Sequence, residues 1–363
     1  DFGGSWASGA LLPEGPNNWG NRSDEWVYHM KNLDDPDAPI DQSTVLKRMR
    51  AVFGLPDFAP HIFHISKWNM EGLIADRFRV GRVFMMGDAV KRHPPTGGLG
   101  MNSGVHEAYN LCWKLKAVLD GVAGQGLLDT YELERRPVAL KNVESAINNA
   151  QHHFLIDQAF GLTPTDDPEV NWVRIERLWA SSADADELRK RVAEAISRQR
   201  IGFRHHNIEV GAVYKEGAIV PDGSPDPIPL DSVMIYQPST RPGHPLPHAM
   251  IESVGSPFPI SQLTKGGLGF ALIAGEEGNA WIDAARALSR EFGISLEAVR
   301  IGLYSGDYRD TRGAWLKQRE IGRDGALLVR PDRYIAFRAA HIADDPKHAL
   351  RTALSSILDR QLS

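Results

Sequence analysis

The sequence predicts a mixed α/β protein (α+β elements) of two domains, and three observations support this fold class. The length of 363 residues exceeds one average domain, and 42% hydrophobic with 24% charged residues is typical of globular proteins. A short apolar run, a glycine-rich loop and an amphipathic segment follow one another between residues 82 and 120, which predicts strand, loop and helix. Beyond residue 231, strand-like and helix-like segments occur in the order βαβ and then ββα.

Residues 1–75 are predicted to form part of a substrate-binding mixed sheet with one helix. Residues 1–21 are rich in Gly, Pro and Asn and indicate loop or turn. The run 25–30 is strand-like, residues 44–53 place apolar side chains at helical spacing, and residues 61–68 alternate as a strand would.

Residues 76–215 are predicted to hold the strand, the glycine-rich loop and several helices. The apolar run 82–86 is typical of a buried parallel strand, and the loop 89–102 follows it. Ser103 is expected to cap a helix that ends before Gly121, with its apolar face at the helical spacing of Val105, Ala108, Cys112, Leu115 and Val118. Further helices are predicted over residues 127–154 and 184–201, the latter with Leu188, Val192 and Ile196 on one face.

Residues 216–230, rich in Gly, Pro and Asp, are interpreted as a linker to a second domain over 231–363. That domain is predicted to contain strands at 270–274 and 298–303, a helix at 279–292, a hairpin over 326–337 and a last helix from Pro346. This order is typical of a thioredoxin-like domain. Because Cys112 is the single cysteine of the chain, the domain lacks redox cysteines.

The chemistry is predicted to lie in the segment that begins at Gly87 and Asp88. A carboxylate at the end of a buried strand is well placed to accept hydrogen bonds from the hydroxyls of a sugar-like ligand, and Gly87 allows that ligand to approach. The next residues, from Pro94 to Asn102, combine a stiff proline pair with three glycines. They would bring backbone N–H groups, and then a positive helix end, to the edge of a flat ligand such as a flavin.

This pattern, GD-A-x4-PP-x-G-G-x-G-x-N, resembles the second flavin motif of the group A FAD-dependent aromatic hydroxylases, which have the para-hydroxybenzoate hydroxylase fold. The resemblance continues through residues 127–137. The segments near residues 239–248 and 319–332 resemble the phenol hydroxylase and 2,4-dichlorophenol 6-monooxygenase type. It implies the C-terminal part of an FAD and substrate domain followed by a thioredoxin-like domain. By motif position it implies FAD contacts at Gly87, Asp88, Pro95, Gly97, Gly98, Leu99, Gly100, Met101 and Asn102.

The resemblance also implies an activity. Such enzymes use FAD as cofactor and NAD(P)H as co-substrate, and they transfer an oxygen atom of O₂ from a flavin C4a-hydroperoxide to a phenolic ring, in some members a chlorinated one and usually at the ortho position. A homodimer is expected. The resemblance assigns no catalytic base to a residue of this chain.

One departure from the family pattern leaves alternatives open. No strand in the sequence is followed by the GxGxxG turn that holds the FAD pyrophosphate, and Gly266–Gly269 precedes a strand, where a turn is expected. We therefore expect the chain to lack an N-terminal portion. The alternatives are a related hydroxylase of hydroxyphenylpropionate or polyketide-type rings, and an inactive fragment that serves as an interaction module.

Composition lowers the expectation for several other classes. A net charge of -5 leaves no basic patch for nucleic acid or an anionic membrane. No apolar run is long enough to span a membrane. A single cysteine is typical of a protein of the reducing cytoplasm. No metal site is predicted: the histidine pairs His152–His153 and His205–His206 are adjacent, and His61 and His64 are three apart on a predicted strand, so the members of each pair face different ways. For most of four tryptophans, core packing is favoured over an aromatic pocket: Trp6, Trp19, Trp26 and Trp68.

Overall fold

The structure is a computed structural model that describes residues 9–30, 40–67, 69–152, 154–163, 167–253 and 255–362. Contacts divide the chain into two compact units, Asp1–Met70 with Ala150–Arg200 and Glu71–Asn149 with Ile201–Ser363. In chain order the strands are β1 (Gly9–Gly15), β2 (Glu25–Met30), β3 (Leu73–Ile74), β4 (Arg79–Val80), β5 (Val83–Phe84), β6 (Lys91–Arg92), β7 (Met250–Ser253), β8 (Ser256–Pro259), β9 (Phe270–Ala274), β10 (Leu296–Gly302), β11 (Tyr308–Arg309), β12 (Ala326–Val329) and β13 (Ile335–Ala339).

The α-helices, in the same order, are α1 (Gln42–Phe53), α2 (Leu99–Leu119), α3 (Thr130–His152), α4 (Phe154–Phe160), α5 (Pro168–Glu176), α6 (Ala183–Arg198), α7 (His206–Val210), α8 (Asn279–Phe292), α9 (Ala314–Gln318) and α10 (Pro346–Ile357). Short 3₁₀ helices lie at Gly87–Ala89, Gln125–Asp129, Arg177–Trp179, Gln199–Gly202 and Ile260–Gly267. None of the helices in the described ranges is long and apolar enough to cross a membrane.

The first unit consists of a hairpin and helices α1, α4, α5 and α6. Strands β1 and β2 pair antiparallel. Helix α1 begins where the Asp41 carboxylate accepts a hydrogen bond from the Thr44 N–H at 2.7 Å, and it ends at Gly54, whose φ of 64° is left-handed. Helix α6 is capped by Ser182 and buries a stripe of Ala185, Leu188, Val192 and Ala195.

Four predictions for this unit were wrong. Residues 9–15 form β1 because the partner strand β2 satisfies their backbone groups. The alternating run 61–67 forms no strand in its described part, since no described strand lies alongside it. Trp19 and Trp26 are exposed, and so is Ile196 on α6. Trp6 and Trp68 lie outside the described residues.

The second unit is built around a seven-stranded sheet in the order β13-β12-β9-β10-β11-β7-β8. Strand β9 runs parallel to β10 across helix α8 and antiparallel to β12, which continues into β13. This is the predicted βαβ and ββα order, so that prediction is confirmed. Gly266 has a left-handed φ of 69° in the turn before β9, as expected of a turn glycine.

Alternating side chains of the central strands pack into two hydrophobic cores, one on each face of the sheet. Leu272 and Leu328 face a core that also contains Leu288 of α8 and Leu354 of α10. Their neighbours in sequence face a second core on the other side of the sheet, formed by Ile273, Leu327, Val299, Ile301 and Trp315 among others. Both faces of the sheet are therefore covered.

The predicted buried parallel strand at 82–86 is corrected by the structure. Only Val83–Phe84 is strand, and it pairs antiparallel with β4. A parallel strand requires a neighbouring strand with a crossover connection, and no described strand of this unit supplies one for β5. Val83 is consequently 63% exposed.

The predicted linker at 216–230 is packed at its start. Ala218 is 1% exposed and lies in the core that contains α8 and α10. The Ala218 N–H donates to Glu134 Oε1 at 2.8 Å, and the Val220 N–H donates to the Ala336 carbonyl at 2.7 Å. The contact-based units also divide the chain differently from the predicted domains, whose boundaries stay a prediction.

Candidate functional site

The first part of the predicted flavin site is the Gly87–Ala89 turn. Gly87 has a φ of 60°, a left-handed conformation that glycine adopts without strain. Asp88 is exposed, and in the described part of the chain no hydrogen bond or ion pair engages its carboxylate. The turn therefore presents a free carboxylate on a sharply bent backbone.

The second part is the loop from Pro95 to Gly98, which makes a tight turn. The Gly98 N–H donates to the Pro95 carbonyl at 3.1 Å, and the Thr96 hydroxyl donates to the Ala146 carbonyl of α3 at 2.6 Å. Gly97 and Gly98 are both left-handed, with φ of 87° and 65°. The loop is thus fixed by backbone geometry and by α3.

The two loop glycines have different surroundings. A Cβ on Gly97 would lie 3.0 Å from Asn149 Nδ2 and 3.4 Å from His205 Nε2, both of which belong to buried side chains. A Cβ on Gly98 would meet nothing within 4 Å. Gly97 is therefore required for packing against the protein, while Gly98 lies beside open space.

Helix α2 is the third part of the site, and it begins at Leu99 instead of Ser103. Gly98 is its N-cap residue. The Ser103 hydroxyl does not cap the helix but donates to the Leu99 carbonyl within it at 2.6 Å. Because the left-handed Gly98 already ends the loop, the residues that follow can enter the helix four positions earlier than predicted.

The start of α2 can bind an anion or an electron-rich ligand edge. The first backbone N–H groups of a helix have no partner within it, and the helix dipole adds partial positive charge there. The first turn of α2 contains no acidic side chain. Met101 is 80% exposed, whereas the Leu99 side chain is 5% exposed, so Leu99 can contact a ligand only through its backbone.

The buried side chains of α2 include polar as well as apolar ones, and the predicted apolar face is only partly buried: Leu115 and Val118 pack against hydrophobic cores. Val105 is 60% exposed, and Cys112 is exposed as well. The buried polar positions form a stripe at helical spacing: Ser103, Glu107, Asn110 and Lys114. Their burial follows from partners elsewhere in the fold.

One of these partners is Lys91, two residues after the Gly87–Ala89 turn. Lys91 Nζ donates to Glu107 Oε1 at 2.6 Å, and both side chains are at most 1% exposed. The other carboxylate oxygen, Glu107 Oε2, accepts the Gly87 N–H at 2.8 Å. Helix α2 therefore binds the turn that carries Asp88.

A second buried charge cluster lies further along α2. The Glu134 carboxylate on α3 accepts two hydrogen bonds from the Arg330 guanidinium, both 2.7 Å, and one from Lys114 Nζ at 2.7 Å. Arg330 also donates twice to Asp332, at 2.9 and 2.6 Å, and Asn110 Nδ2 lies 3.0 Å from Asp332 Oδ2. Helices α2 and α3 are thereby joined to the β12–β13 turn.

Burial and charge shift the protonation of this cluster in opposite ways. Burial alone would raise the pKa of Glu134, but the charges of Arg330 and Lys114 outweigh it and hold that pKa well below its usual range. Burial lowers the pKa of Lys114 to about 8, although the attraction of Glu134 opposes this. Arg330 has a pKa raised well above its ordinary value because Asp332 and Glu134 outweigh its desolvation.

Two known protein families match parts of the chain. Residues 15–146 match the family described as FAD binding domain, and residues 239–361 match the one described as aromatic-ring hydroxylase, C-terminal. The chain belongs to the FAD-dependent aromatic-ring hydroxylases. Within this family it is 41% identical to a 2,4-dichlorophenol 6-monooxygenase of Delftia acidovorans over 81% of this chain and 50% of that protein. It is 34% identical to a phenol 2-monooxygenase of Pseudomonas sp. (strain EST1001), over 94% of this chain and 57% of that protein.

A solved structure of the family extends the likeness to the fold. The flavin-dependent monooxygenase PieE, in complex with FAD and substrate, superposes with a TM-score of 0.82 and 36% identity, over 92% of this chain and 57% of that one. The chain thus spans about half the length of the hydroxylases it matches. The predicted family and fold class are confirmed.

The residues present fit a flavin. Open space lies beside Gly87 and Gly98, where a Cβ would meet nothing within 4 Å, so a flat ligand can approach both backbones. Asp88 offers a free acceptor, and the start of α2 offers donors. In the described ranges no group of three or more His, Cys, Asp or Glu could hold a metal ion.

Sequence reasoning missed Lys91, Glu107 and the cluster around Glu134. Charged and amide side chains recur on α2 at spacings of three and four residues, but a polar stripe of this kind ordinarily indicates a solvent-exposed helix face. The partners themselves, such as Arg330 for Glu134, are 196 positions apart and leave no local pattern.

Proposed function

We propose that the complete protein is an FAD-dependent, NAD(P)H-using monooxygenase that hydroxylates a phenolic ring ortho to its hydroxyl group. The observation that carries this proposal is the left-handed Gly97–Gly98 turn that leads into the start of the 21-residue helix α2. A helix start of this kind favours the electron-rich edge of a reduced flavin. The FAD binding domain match includes this segment.

Each residue of the motif has a role in the proposal. The flavin, when bound, supplies the oxygen chemistry. Asp88 accepts hydrogen bonds from the ribityl hydroxyls, and the glycines allow the backbone to approach the flavin ring, while the start of α2 stabilises negative charge on it. The proposed FAD contacts are Gly87, Asp88, Pro95, Gly97, Gly98, Leu99, Gly100, Met101 and Asn102.

A phenol, chlorinated or not, is the proposed substrate, with O₂ as co-substrate. The support is the identity to relatives named 2,4-dichlorophenol 6-monooxygenase and phenol 2-monooxygenase. A homodimer and a cytoplasmic location belong to the same proposal; the family resemblance supports the first and the single cysteine supports the second.

The test uses the complete polypeptide that carries this sequence. Its absorbance in the blue region reports bound flavin, and oxidation of NADH and NADPH is followed with phenol, 2,4-dichlorophenol, a hydroxyphenylpropionate and a polyketide ring. Isotopically labelled O₂ traces the product. We expect one labelled oxygen atom in a catechol product. We also expect NADH or NADPH to be oxidised faster when the phenol is present than in the control without it.

The other outcomes decide against this function. Labelled product only from a hydroxyphenylpropionate or a polyketide would assign the chain to the related hydroxylases. A protein that binds no flavin after FAD is added would leave the interaction module as the function.

A further inference from the structure

Glu107 holds the protein on both sides of Asp88. Its Oε2 accepts the backbone N–H of Gly87, the residue before Asp88, at 2.8 Å. Its Oε1 accepts from Lys91 Nζ, three residues after Asp88, at 2.6 Å. Both charged side chains are at most 1% exposed, so neither contact is a solvent-screened surface pair.

Backbone packing adds to this hold. Gly104 lies on α2 three residues before Glu107, and a Cβ built on it would lie 3.4 Å from the Gly87 Cα. Glycine at 104 therefore lets the bent Gly87 backbone lie against the helix. The Asp88 carboxylate is exposed and has no hydrogen bond within the described ranges, which leaves it available to a ligand.

We propose that Glu107 and Lys91 are positioning residues of the flavin site, which fix the Gly87–Ala89 turn on α2 and so fix the Asp88 carboxylate. The inference rests on the proposed function, because it takes Asp88 as a flavin contact. Because both side chains are buried, neither is proposed to touch the cofactor. Lys91 supplies the charge that the buried Glu107 carboxylate needs, and Glu107 uses its second oxygen to hold the Gly87 N–H.

Two charge-neutral double variants of the complete protein separate the ion pair from the hydrogen bond. Lys91→Met with Glu107→Gln removes both charges and keeps an acceptor for the Gly87 N–H, and FAD affinity is expected to stay within about threefold of the parent. Lys91→Met with Glu107→Leu removes that acceptor too. Its FAD affinity, measured by flavin fluorescence titration of the apoprotein, is expected to fall about 10- to 100-fold.

The Asp88→Ala background tests whether the effect acts through Asp88. If Glu107 positions Asp88, the double variants with Glu107→Leu and with Glu107→Gln should have equal FAD affinities once Asp88→Ala is also present. The loss of affinity caused by Glu107→Leu and the loss caused by Asp88→Ala are then not additive. Equal losses with and without Asp88 would assign Glu107 to general stability and overturn the proposal. The control pair Arg319→Met with Glu276→Gln removes an ion pair that is largely but less completely buried, with side chains 9% and 12% exposed, far along the chain, and should leave FAD affinity unchanged.

Gly104→Ala covers the case in which the Glu107 variants fail to fold. Alanine favours a helix interior over glycine, and its methyl group would lie 3.4 Å from the Gly87 Cα, at the limit of ordinary contact with the turn. We expect a higher thermal midpoint together with FAD affinity lower by about threefold. An unchanged FAD affinity would contradict the proposal, whereas a parent protein that binds no FAD would overturn the proposed function and this inference together.

Discussion

Lys114 offers a sharp test of the buried charge cluster. Its ammonium group is 0% exposed and donates to Glu134 Oε2 at 2.7 Å. Burial nevertheless lowers the pKa of Lys114 to about 8 from the ordinary 10.5. The surroundings therefore disfavour the charged lysine despite the ion pair, and we predict that Lys114→Met is neutral or stabilising at pH 7.

The size of the effect follows from proton linkage. Between pH 8 and pH 10.5 the unfolded chain keeps the Lys114 proton while the folded chain has lost it. In this window the Lys114 contribution to the free energy of unfolding rises with pH, by about 1.4 kcal/mol per pH unit. Between pH 7 and pH 9.5 the parent should gain about 2 kcal/mol relative to Lys114→Met. Glu134 keeps its lowered pKa in the variant, because Arg330 still binds both carboxylate oxygens.

Urea unfolding of the parent and of Lys114→Met at pH 7 and pH 9.5 measures this difference. Other groups that titrate in this range are present in both proteins, so they cancel in the comparison. The reasoning would be refuted if the free energy of unfolding changed equally with pH in the two proteins. That result would mean that the attraction of Glu134 fully offsets the burial of Lys114. A loss of stability in Lys114→Met at pH 7 would mean the same.

Three further predictions concern the cluster and the loop. Glu134→Gln should lower the free energy of unfolding by about 3–5 kcal/mol, because Arg330 and Lys114 lose their shared carboxylate; chemical denaturation measures it. Gly97→Ala should lower the stability more than the matched Gly98→Ala. Both variants incur about 1–2 kcal/mol of left-handed backbone strain, but only Gly97→Ala adds a close contact, with Asn149. Equal thermal midpoints of the two variants would contradict this. Asp88→Ala should weaken FAD binding about tenfold or more while the thermal midpoint of the apoprotein stays unchanged, as flavin titration and calorimetry would show.

The elements that the sequence predicted well are those that carry their own local signals. Strand β9 and helix α8 have the predicted bounds, because a run of five buried apolar residues and a strongly amphipathic segment are unambiguous. The prediction of a buried parallel strand at residues 82–86 was wrong because it required a neighbouring parallel strand, and no local sequence pattern shows whether such a strand is present. Helix α2 was predicted, but its start and part of its buried face were not, since Ser103, Glu107, Asn110 and Lys114 are buried polar side chains.

The site shows the same division. Asp88 and the loop up to Asn102 could be found from the motif, because turn glycines and a helix start are encoded by neighbouring residues. The pairing of Glu107 with Lys91 joins two different elements, and the pairing of Glu134 with Arg330 joins residues 196 positions apart. A charged residue in a single sequence resembles a solvated one until its partner is placed in space.

The buried cluster gives the cysteine-free C-terminal sheet a structural role. Arg330 and Asp332 come from the turn between β12 and β13, and they bind Glu134 on α3 and Asn110 on α2. Tyr109 of α2 also donates to the Pro331 carbonyl at 3.1 Å. A thioredoxin-like order of strands without a cysteine pair cannot exchange disulfides, yet it buries the charges that hold α2. Because the start of this same helix carries the proposed flavin contacts, the C-terminal sheet also helps to hold the helix of the proposed site.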